Sequence, residues 1–254
     1  MASLALLAGP TAPGQSLLCL VGGPYIVRSG RHINVPEGSQ RLLAYVALHG
    51  GRVDRRRAAG TLWPCGSDDR AAGNLRSALW RLRSAGIEMI EADRTVLWLT
   101  PGTVTDVQQL CDWAGRAIEG RVSDADLRIQ QWDPEAADIL PGWYDDWVIS
   151  ERERIRQRLL HGLEAVGREL LLDRRPADAI EAAMCAVRIE PLRESAQQLL
   201  IEAHLAERNY GEALRTYRTY ARLLRQELGI APGPVLGALV ATRSLTAPVT
   251  LRQR

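Results

Sequence analysis

The front of the chain alternates short β-rich runs with glycine-containing turns. Gly22-Gly-Pro24 and Ser29-Gly30 separate three such runs, which are residues 17–21, 25–28 and 32–35. Apolar and β-branched runs bounded by glycine and proline are typical of strands in a small antiparallel sheet. The pattern therefore predicts a sheet of short strands at the beginning of the fold.

Apolar residues then recur at helical spacing in three segments. The first begins at Ser39 and ends at Gly50-Gly51, since glycine commonly ends a helix. The second follows Asp54, a good N-cap residue, and stops at Pro64. The third runs over residues 70–85 and has one apolar stripe, formed by Ala71, Ala72, Leu75, Ala78, Leu79 and Leu82.

The other side of this third helix is polar. Its outward face carries Arg70, Asn74, Ser77, Arg81 and Ser84, and one flank carries Arg76, Trp80 and Arg83. Two β-like runs follow, at residues 87–91 and 95–99, joined by a turn at Asp93-Arg94. They predict a β-hairpin, which Pro101-Gly102 ends. A sheet, three helices and a hairpin in this order resemble the winged helix-turn-helix of OmpR-type response regulators, whose third helix enters the DNA major groove.

Residues beyond Asp106 predict helices, apart from an irregular stretch at about 133–147. A faint repeat of 34 residues places Ala179-Ile180 in register with Ala213-Leu214. The small and turn positions of a tetratricopeptide unit are occupied by Leu163, Gly167, Ala179, Ala186 and Pro191. The predicted fold class is thus an α+β winged helix-turn-helix at residues 17–105, followed by an all-α tetratricopeptide-like helical domain at residues 106–240. Residues 1–16 are expected to be a flexible lead and residues 241–254 a flexible tail.

The distribution of charge supports nucleic-acid binding by the front domain. The chain has a formal charge of only +2, but residues 1–105 contain 12 Arg and 7 acidic residues, whereas residues 106–254 contain 20 Arg and 23 acidic residues. A nucleic-acid-binding domain needs such a local excess of positive charge. Because the rear half is slightly negative, its expected partners are proteins.

Several classes of function lack their required residues. The chain contains no Lys, so a phosphate loop of the GxxxxGK[ST] type and a Schiff-base mechanism are both excluded. The four cysteines form no CxxC pair and have no His at metal-ligand spacing, which predicts reduced thiols and no metal site. The four His have no Ser or Cys nucleophile motif beside them, so no enzyme and no cofactor is expected.

No segment of the sequence predicts export or membrane insertion. The apolar N-terminal stretch has no basic region before it, as a secretory signal requires. No uncharged apolar run approaches the roughly 18 residues that a transmembrane helix needs. The expected location is the cytoplasm.

The candidate DNA-binding residues lie on the second and third helices and on the wing. Asn74 and Arg81 could read bases, since Asn pairs with adenine and Arg with guanine. Trp80 could stack on a sugar or pack under the wing, and packing is favoured. The alternative is that these arginines form an ordinary solvated face. The whole candidate set is Arg55, Arg56, Arg57, Arg70, Asn74, Arg76, Ser77, Trp80, Arg81, Arg83, Arg94 and Thr95.

Motifs along the whole chain resemble the SARP family, the actinomycete antibiotic regulatory proteins. They are residues 74–83 in the front half, then residues 140–147, Arg152, residues 189–194 and residues 217–232, which are similar to the bacterial transcriptional activator domain. The resemblance implies a transcriptional activator that binds direct repeats of double-stranded DNA, recruits RNA polymerase and self-associates on DNA. The alternative is a helical interaction scaffold whose winged helix no longer binds DNA.

Overall fold

The computed structural model describes residues 15–129 and 138–244, which pack as two units. The first unit holds residues 15–112 and 138–155 of this range, and the second holds residues 113–129 and 156–244. Residues 106–112 and 138–155 thus pack with the front unit, although the sequence pattern assigned them to the rear domain. The elements in chain order are β1 (Ser16–Cys19), β2 (Tyr25–Arg28), β3 (Arg31–Asn34), α1 (Glu37–His49), β4 (Val53–Asp54), α2 (Arg55–Leu62), α3 (Asp68–Ser84), β5 (Ile90–Ala92), β6 (Val96–Leu99), β7 (Val104–Thr105), α4 (Asp106–Ile118), α5 (Asp146–Leu172), α6 (Pro176–Ile189), α7 (Glu194–Ala206), α8 (Tyr210–Leu228) and α9 (Pro234–Ser244).

The N-terminal sheet has the strand order β3-β2-β1-β7. β1, β2 and β3 form the predicted antiparallel meander. β7 was not predicted, and it pairs parallel to β1 through Leu17 and Leu18. Two residues are too few to give a period-two pattern, so a strand of this length is visible only from its pairing.

Asp106 joins this sheet to the helix that follows. Its buried carboxylate accepts hydrogen bonds from the backbone N–H groups of Leu20, Val21 and Val107, at 2.7–3.0 Å. Burial raises the pKa of Asp106 to about 6, and the backbone hydrogen bonds partly oppose this rise. The carboxylate thus fixes the end of β1 at the start of α4.

Three helices cover the core of the front unit, as the pattern predicted. α1 ends at Gly50, whose φ of 50° is left-handed, and the Asp54 carboxylate caps α2 by accepting from the Arg57 N–H at 2.7 Å. α3 packs against α1 and α2 through a buried apolar stripe. The core includes Leu42, Leu43, Val46, Leu75, Leu82 and Leu97, each at most 2% exposed.

The wing is a three-stranded sheet of order β4-β6-β5. The predicted hairpin is its β5–β6 pair, in which Ile90 lies opposite Leu99. β4 adds two residues, Val53 and Asp54, antiparallel to β6. Asp54 therefore ends a strand and caps a helix, which places α2 directly against the wing.

The 140–147 motif and Arg152 also belong to the front unit. Ile139 forms a β-bridge with Val21, and the Arg152 guanidinium donates to the backbone carbonyls of Ile139 and Leu140 at 3.0 and 2.8 Å. The ring of Trp147 meets that of Tyr45 edge-on, with centroids 5.2 Å apart. These residues therefore have a packing role.

The rear unit repeats helix pairs with the predicted period. Arg174 and Arg208, which lie 34 residues apart in the turns before α6 and α8, both have positive φ values, of 59° and 61°. Ala179 and Ala213 are fully buried at matching places in those two helices. α6 packs on α7, and α7 packs on α8, as in a tetratricopeptide-like stack.

A close helix approach explains one glycine of the repeat. A Cβ atom on Gly167 of α5 would lie 2.5 Å from Cδ2 of Leu199 on α7. Such a distance is far inside van der Waals contact, so α5 and α7 can approach this closely only without a side chain at residue 167.

The described residues overlap the predicted lead at residues 15–16 and the predicted tail at residues 241–244. β1 begins at Ser16, and α9 includes residues 241–244, which the pattern assigned to the tail. The other residues of the predicted lead and tail lie outside the described residues, apart from Gln15. None of the helices within residues 15–129 and 138–244 combines the length and the hydropathy that spanning a bilayer requires.

Candidate nucleic-acid interface

The outward face of α3 combines an aromatic ring with positive charge. The α-helical repeat places Trp80 roughly opposite the buried stripe that contains Leu75 and Leu82, and it places residues 76 and 83 on one flank of that outward face. The exposed side chains on this part of α3 are Arg76, Ser77, Trp80, Arg83 and Ser84. They form a convex face of hydrogen-bond donors around one large apolar ring.

The structure corrects the expected packing of Trp80. Its side chain is 68% exposed and does not pack under the wing. The reason is its position on α3, because Trp80 lies at the centre of the exposed residues of this helix and away from the buried stripe. An exposed tryptophan leaves apolar surface in water, which is characteristic of a contact surface.

Arg81 lies on the flank of α3 that faces α1. Its Nη2 donates to the carbonyl of Gly38 at 2.9 Å, and its Nε is buried without a hydrogen-bond partner among the described residues. A Cβ atom on Gly38 would lie 3.0 Å from that Nη2. The guanidinium therefore packs flat against the first turn of α1, so it is not extended toward solvent as the predicted base-reading role requires.

A second hydrogen bond joins the same two helices. The buried hydroxyl of Ser39 donates to the carbonyl of Ala78 at 2.9 Å. Ser39 and Arg81 therefore attach the beginning of α1 to successive turns of α3. This arrangement fixes the orientation of α3, and sequence reasoning missed it because Ser39 looked like a helix-start residue.

The tip of the wing is held by Asp93. Its carboxylate accepts from the backbone N–H groups of Val96 and Thr95, both at 2.7 Å, and these hydrogen bonds hold the pKa of Asp93 below its usual range. Arg94 is exposed there, and its side chain has no hydrogen bond or ion pair with the described residues. Thr95 is also exposed, and its hydroxyl lies 3.2 Å from the Asp93 carboxylate.

Arg52 is a wing residue that sequence reasoning did not select. Its guanidinium pairs with Asp93 at 3.2 Å and lies 4.4 Å above the ring centroid of Trp98. In the sequence Arg52 is a single arginine between Gly51 and Val53, and such a position is too common to be informative. The arrangement joins the wing tip to the strand that precedes α2.

The arginines at the start of α2 divide into two kinds. Arg55 is half-buried and bonds to the wing, since its Nη1 donates to the carbonyl of Asp93 at 3.0 Å. Arg56 and Arg57 are exposed. Arg55, Arg56 and Arg94 line a cleft of about 540 Å³, and Asp68 and Asp69 of α3 are also part of its wall.

The remaining candidates lie on α3. Arg70 is exposed near the start of the helix, and Asn74 is half-buried. Arg83 lines a shallower cleft of about 360 Å³ with the wing residues Glu91 and Trp98. The structure thus places all twelve predicted residues on α2, α3 and the wing. Asn74 and Arg81 are the least accessible of those on α3.

Comparisons with known proteins agree with this architecture. Residues 112–242, more than half of the chain, match the family model described as "Bacterial transcriptional activator domain". The regulatory protein AfsR of Streptomyces griseus is 34% identical over 111 residues, which cover 42% of this chain and 11% of that protein. The chain therefore matches a small part of that relative's length.

A solved structure shares the fold over most of the chain. It is EmbR of Mycobacterium tuberculosis in complex with a low-affinity phosphopeptide, with a TM-score of 0.69. The match covers 92% of this chain and 66% of that one, at 19% sequence identity.

Proposed function

Since the chain belongs to the SARP family of transcriptional regulators, as its bacterial transcriptional activator domain indicates, we propose that its winged helix binds duplex DNA through α3, α2 and the wing. A regulator must be positioned on promoters, and the front unit supplies an exposed helix with basic side chains. The single observation that carries the proposal is the outward face of α3, where Trp80 lies between Arg76 and Arg83 on successive turns.

Arg76, Trp80 and Arg83 are proposed to make different kinds of contact with bases. Arg76 and Arg83 each present a guanidinium, which can donate two hydrogen bonds to one guanine in the major groove. Trp80 supplies an apolar surface for a thymine methyl group or a deoxyribose. Arg81 was predicted to read a base, but its hydrogen bond to the Gly38 carbonyl makes it a residue that positions α3.

The wing and α2 supply contacts to the sugar-phosphate backbone. Arg56, Arg57 and Arg94 are exposed cations, and Thr95 adds a hydroxyl donor. Phosphate contacts of this kind fix the register of a protein on DNA without reading its sequence. Asp68 and Asp69 also line the cleft beside α2 and repel phosphates, so phosphate contacts there depend on the neighbouring arginines.

The rear unit is proposed to act through proteins. Stacked tetratricopeptide-like helices form extended surfaces that bind peptides or other domains. On this basis the chain activates transcription in the cytoplasm by contacting RNA polymerase, and it self-associates when bound to adjacent DNA repeats. Two winged helices on adjacent repeats would bind with higher combined affinity than either alone.

The first test is the affinity of the full chain for a labelled duplex of arbitrary sequence at 50 mM salt, followed by fluorescence anisotropy. We expect binding that weakens as salt rises, because arginines displace condensed counterions from phosphates. Arg76→Ala should weaken binding several-fold. The matched control is Arg31→Ala, which removes an exposed arginine from β3.

The exposed ring of Trp80 also favours the second candidate, a scaffold that uses this face for protein contacts. Tryptophan and arginine are the residue types most enriched at protein interface hot spots. A folded full chain that binds no duplex even at 50 mM salt would establish the scaffold and refute DNA binding.

A further inference from the structure

The charge of the rear half is sharply divided along the chain. Residues 106–212 contain 13 Arg and 22 acidic residues, whereas residues 213–254 contain 7 Arg and a single acidic residue, Glu227. The slightly negative total therefore conceals a strongly basic C-terminal region. Most of this positive charge lies on α8.

Four arginines form a row on the exposed side of α8. They are Arg215, Arg218, Arg222 and Arg225, and all four side chains are exposed. At 3.6 residues per turn they fall within an arc of about 80°. No acidic residue interrupts residues 213–226. This set, together with Thr219 and Gln226 on the same side, is called the α8 arginine row.

The arginines of the row are largely unneutralised. Arg215 pairs with Glu212 at 2.7 Å, one turn before it. Within the described part of the chain, the side chains of Arg218, Arg222 and Arg225 make no ion pair or hydrogen bond. Elsewhere in this unit arginines do pair with acids, as Arg193 does with the buried Glu164 at 2.5 Å. The row is therefore a concentrated positive surface that lacks a partner within the unit.

The chemistry of the row favours phosphates over a protein surface. Its exposed members are Arg, Thr and Gln, which all donate hydrogen bonds to phosphate oxygens. The core of a protein interface contains apolar anchors beside its arginines, whereas the row has no exposed apolar residue between Arg215 and Gln226.

The length of the row also fits a nucleic-acid strand. Ten residues separate Arg215 from Arg225, which corresponds to about 15 Å along a helix. One DNA strand carries a phosphate roughly every 3.4 Å of duplex axis, so 15 Å spans about four phosphates. Four arginines thus face about four negative charges.

We infer that the α8 arginine row is a second, sequence-independent binding site for the phosphodiester backbone of duplex DNA. This site goes beyond the proposed function, because it lies in the rear unit and does not read bases. It adds affinity and salt dependence to binding that the winged helix directs. It also replaces the expectation that the rear half, being negative overall, contacts proteins alone.

The test measures the salt dependence of DNA binding by the full chain. The variant is Arg218→Gln/Arg222→Gln, and the matched control is Arg128→Gln/Arg188→Gln, which removes two exposed arginines of the same unit outside α8. Each neutralised phosphate contributes about 0.9 to the slope of log affinity against log salt. The magnitude of the slope should therefore be smaller by about 1.8 in the α8 variant and unchanged in the control.

Four outcomes are distinguishable. A less steep salt dependence for the α8 variant alone supports the inference. If circular dichroism shows that this variant is misfolded, Arg215→Gln/Arg225→Gln takes its place and should show the same less steep salt dependence. Equal slopes for wild type and both α8 variants overturn the inference, while Arg76→Ala still reports on the winged helix independently. Unchanged DNA binding combined with weaker binding to poly-glutamate also overturns it, because the row would then serve an acidic protein partner. Failure of the wild type to bind DNA refutes the proposed function and the inference together.

Discussion

Gly38 and Arg81 provide a pair of substitutions whose effects should depend on each other. Replacing glycine by alanine within a helix normally stabilises a protein by about 0.4–1 kcal/mol. Here the new Cβ atom would lie 3.0–3.1 Å from three atoms of the Arg81 guanidinium and displace its hydrogen bond to the Gly38 carbonyl. A hydrogen bond from a charged donor contributes about 1.5–3 kcal/mol, and partial exposure reduces this one to about 1 kcal/mol. Gly38→Ala should therefore be close to neutral in the wild type.

In an Arg81→Ala background the same substitution has nothing to displace. Gly38→Ala should then stabilise the protein by about 0.5–1 kcal/mol, so the two sites should couple by about 1 kcal/mol. Urea unfolding of the four proteins, followed by circular dichroism, measures this coupling. Additive effects would refute the packing of Arg81 on α1. Relaxed base preference in Arg81→Ala, without a general loss of affinity, would return Arg81 to the base-reading role.

Other substitutions test the packing of each unit. Gly167→Ala should destabilise the rear unit by about 1–3 kcal/mol in thermal unfolding, because its Cβ would lie 2.5 Å from Leu199, whereas the control Gly211→Ala on α8 meets no atom within 4 Å and should be neutral or stabilising. Asp106 has a pKa of about 6 in the folded protein and an ordinary pKa of 3.8, so protonation of its carboxyl group stabilises the folded state. Wild-type stability should therefore fall by about 2 kcal/mol relative to Asp106→Asn as pH rises from about 4 to about 6, and parallel pH profiles for the two proteins would contradict the raised pKa. Ser39→Ala should cost about 1 kcal/mol in urea unfolding, and no loss would mean that its hydrogen bond to Ala78 does not stabilise the α1–α3 contact.

Elements with a strong local signal were predictable from the sequence. Helix periodicity, Asp54 as an N-cap and Gly50 as a helix end located the three front helices. The 34-residue spacing located the rear repeat. The two-residue strands β4 and β7 were not predictable, because their existence depends on partners distant in sequence.

The candidate interface was predictable at the level of elements but less so at the level of side chains. The sequence pattern put Arg81 on the outward face of α3, but α1 packs on that flank, and the exposed face is centred on Trp80. The position of α1 depends on Ser39 and Gly38, whose tertiary contacts leave no periodic signal. The α8 arginine row was present in the sequence, but summing the charge over the whole rear half concealed it.

The most direct test of the account is selection of bound DNA from a pool of random duplexes by the full chain, with sequencing of the recovered DNA. The wild type and the Arg31→Ala control should enrich the same motif. Arg76→Ala and Arg83→Ala should each lose preference at a base position, because each removes a guanidinium that pairs with a base. Recovery of DNA with no enriched motif by a folded wild-type chain, or an identical motif from all four proteins, would contradict base reading by the outward face of α3.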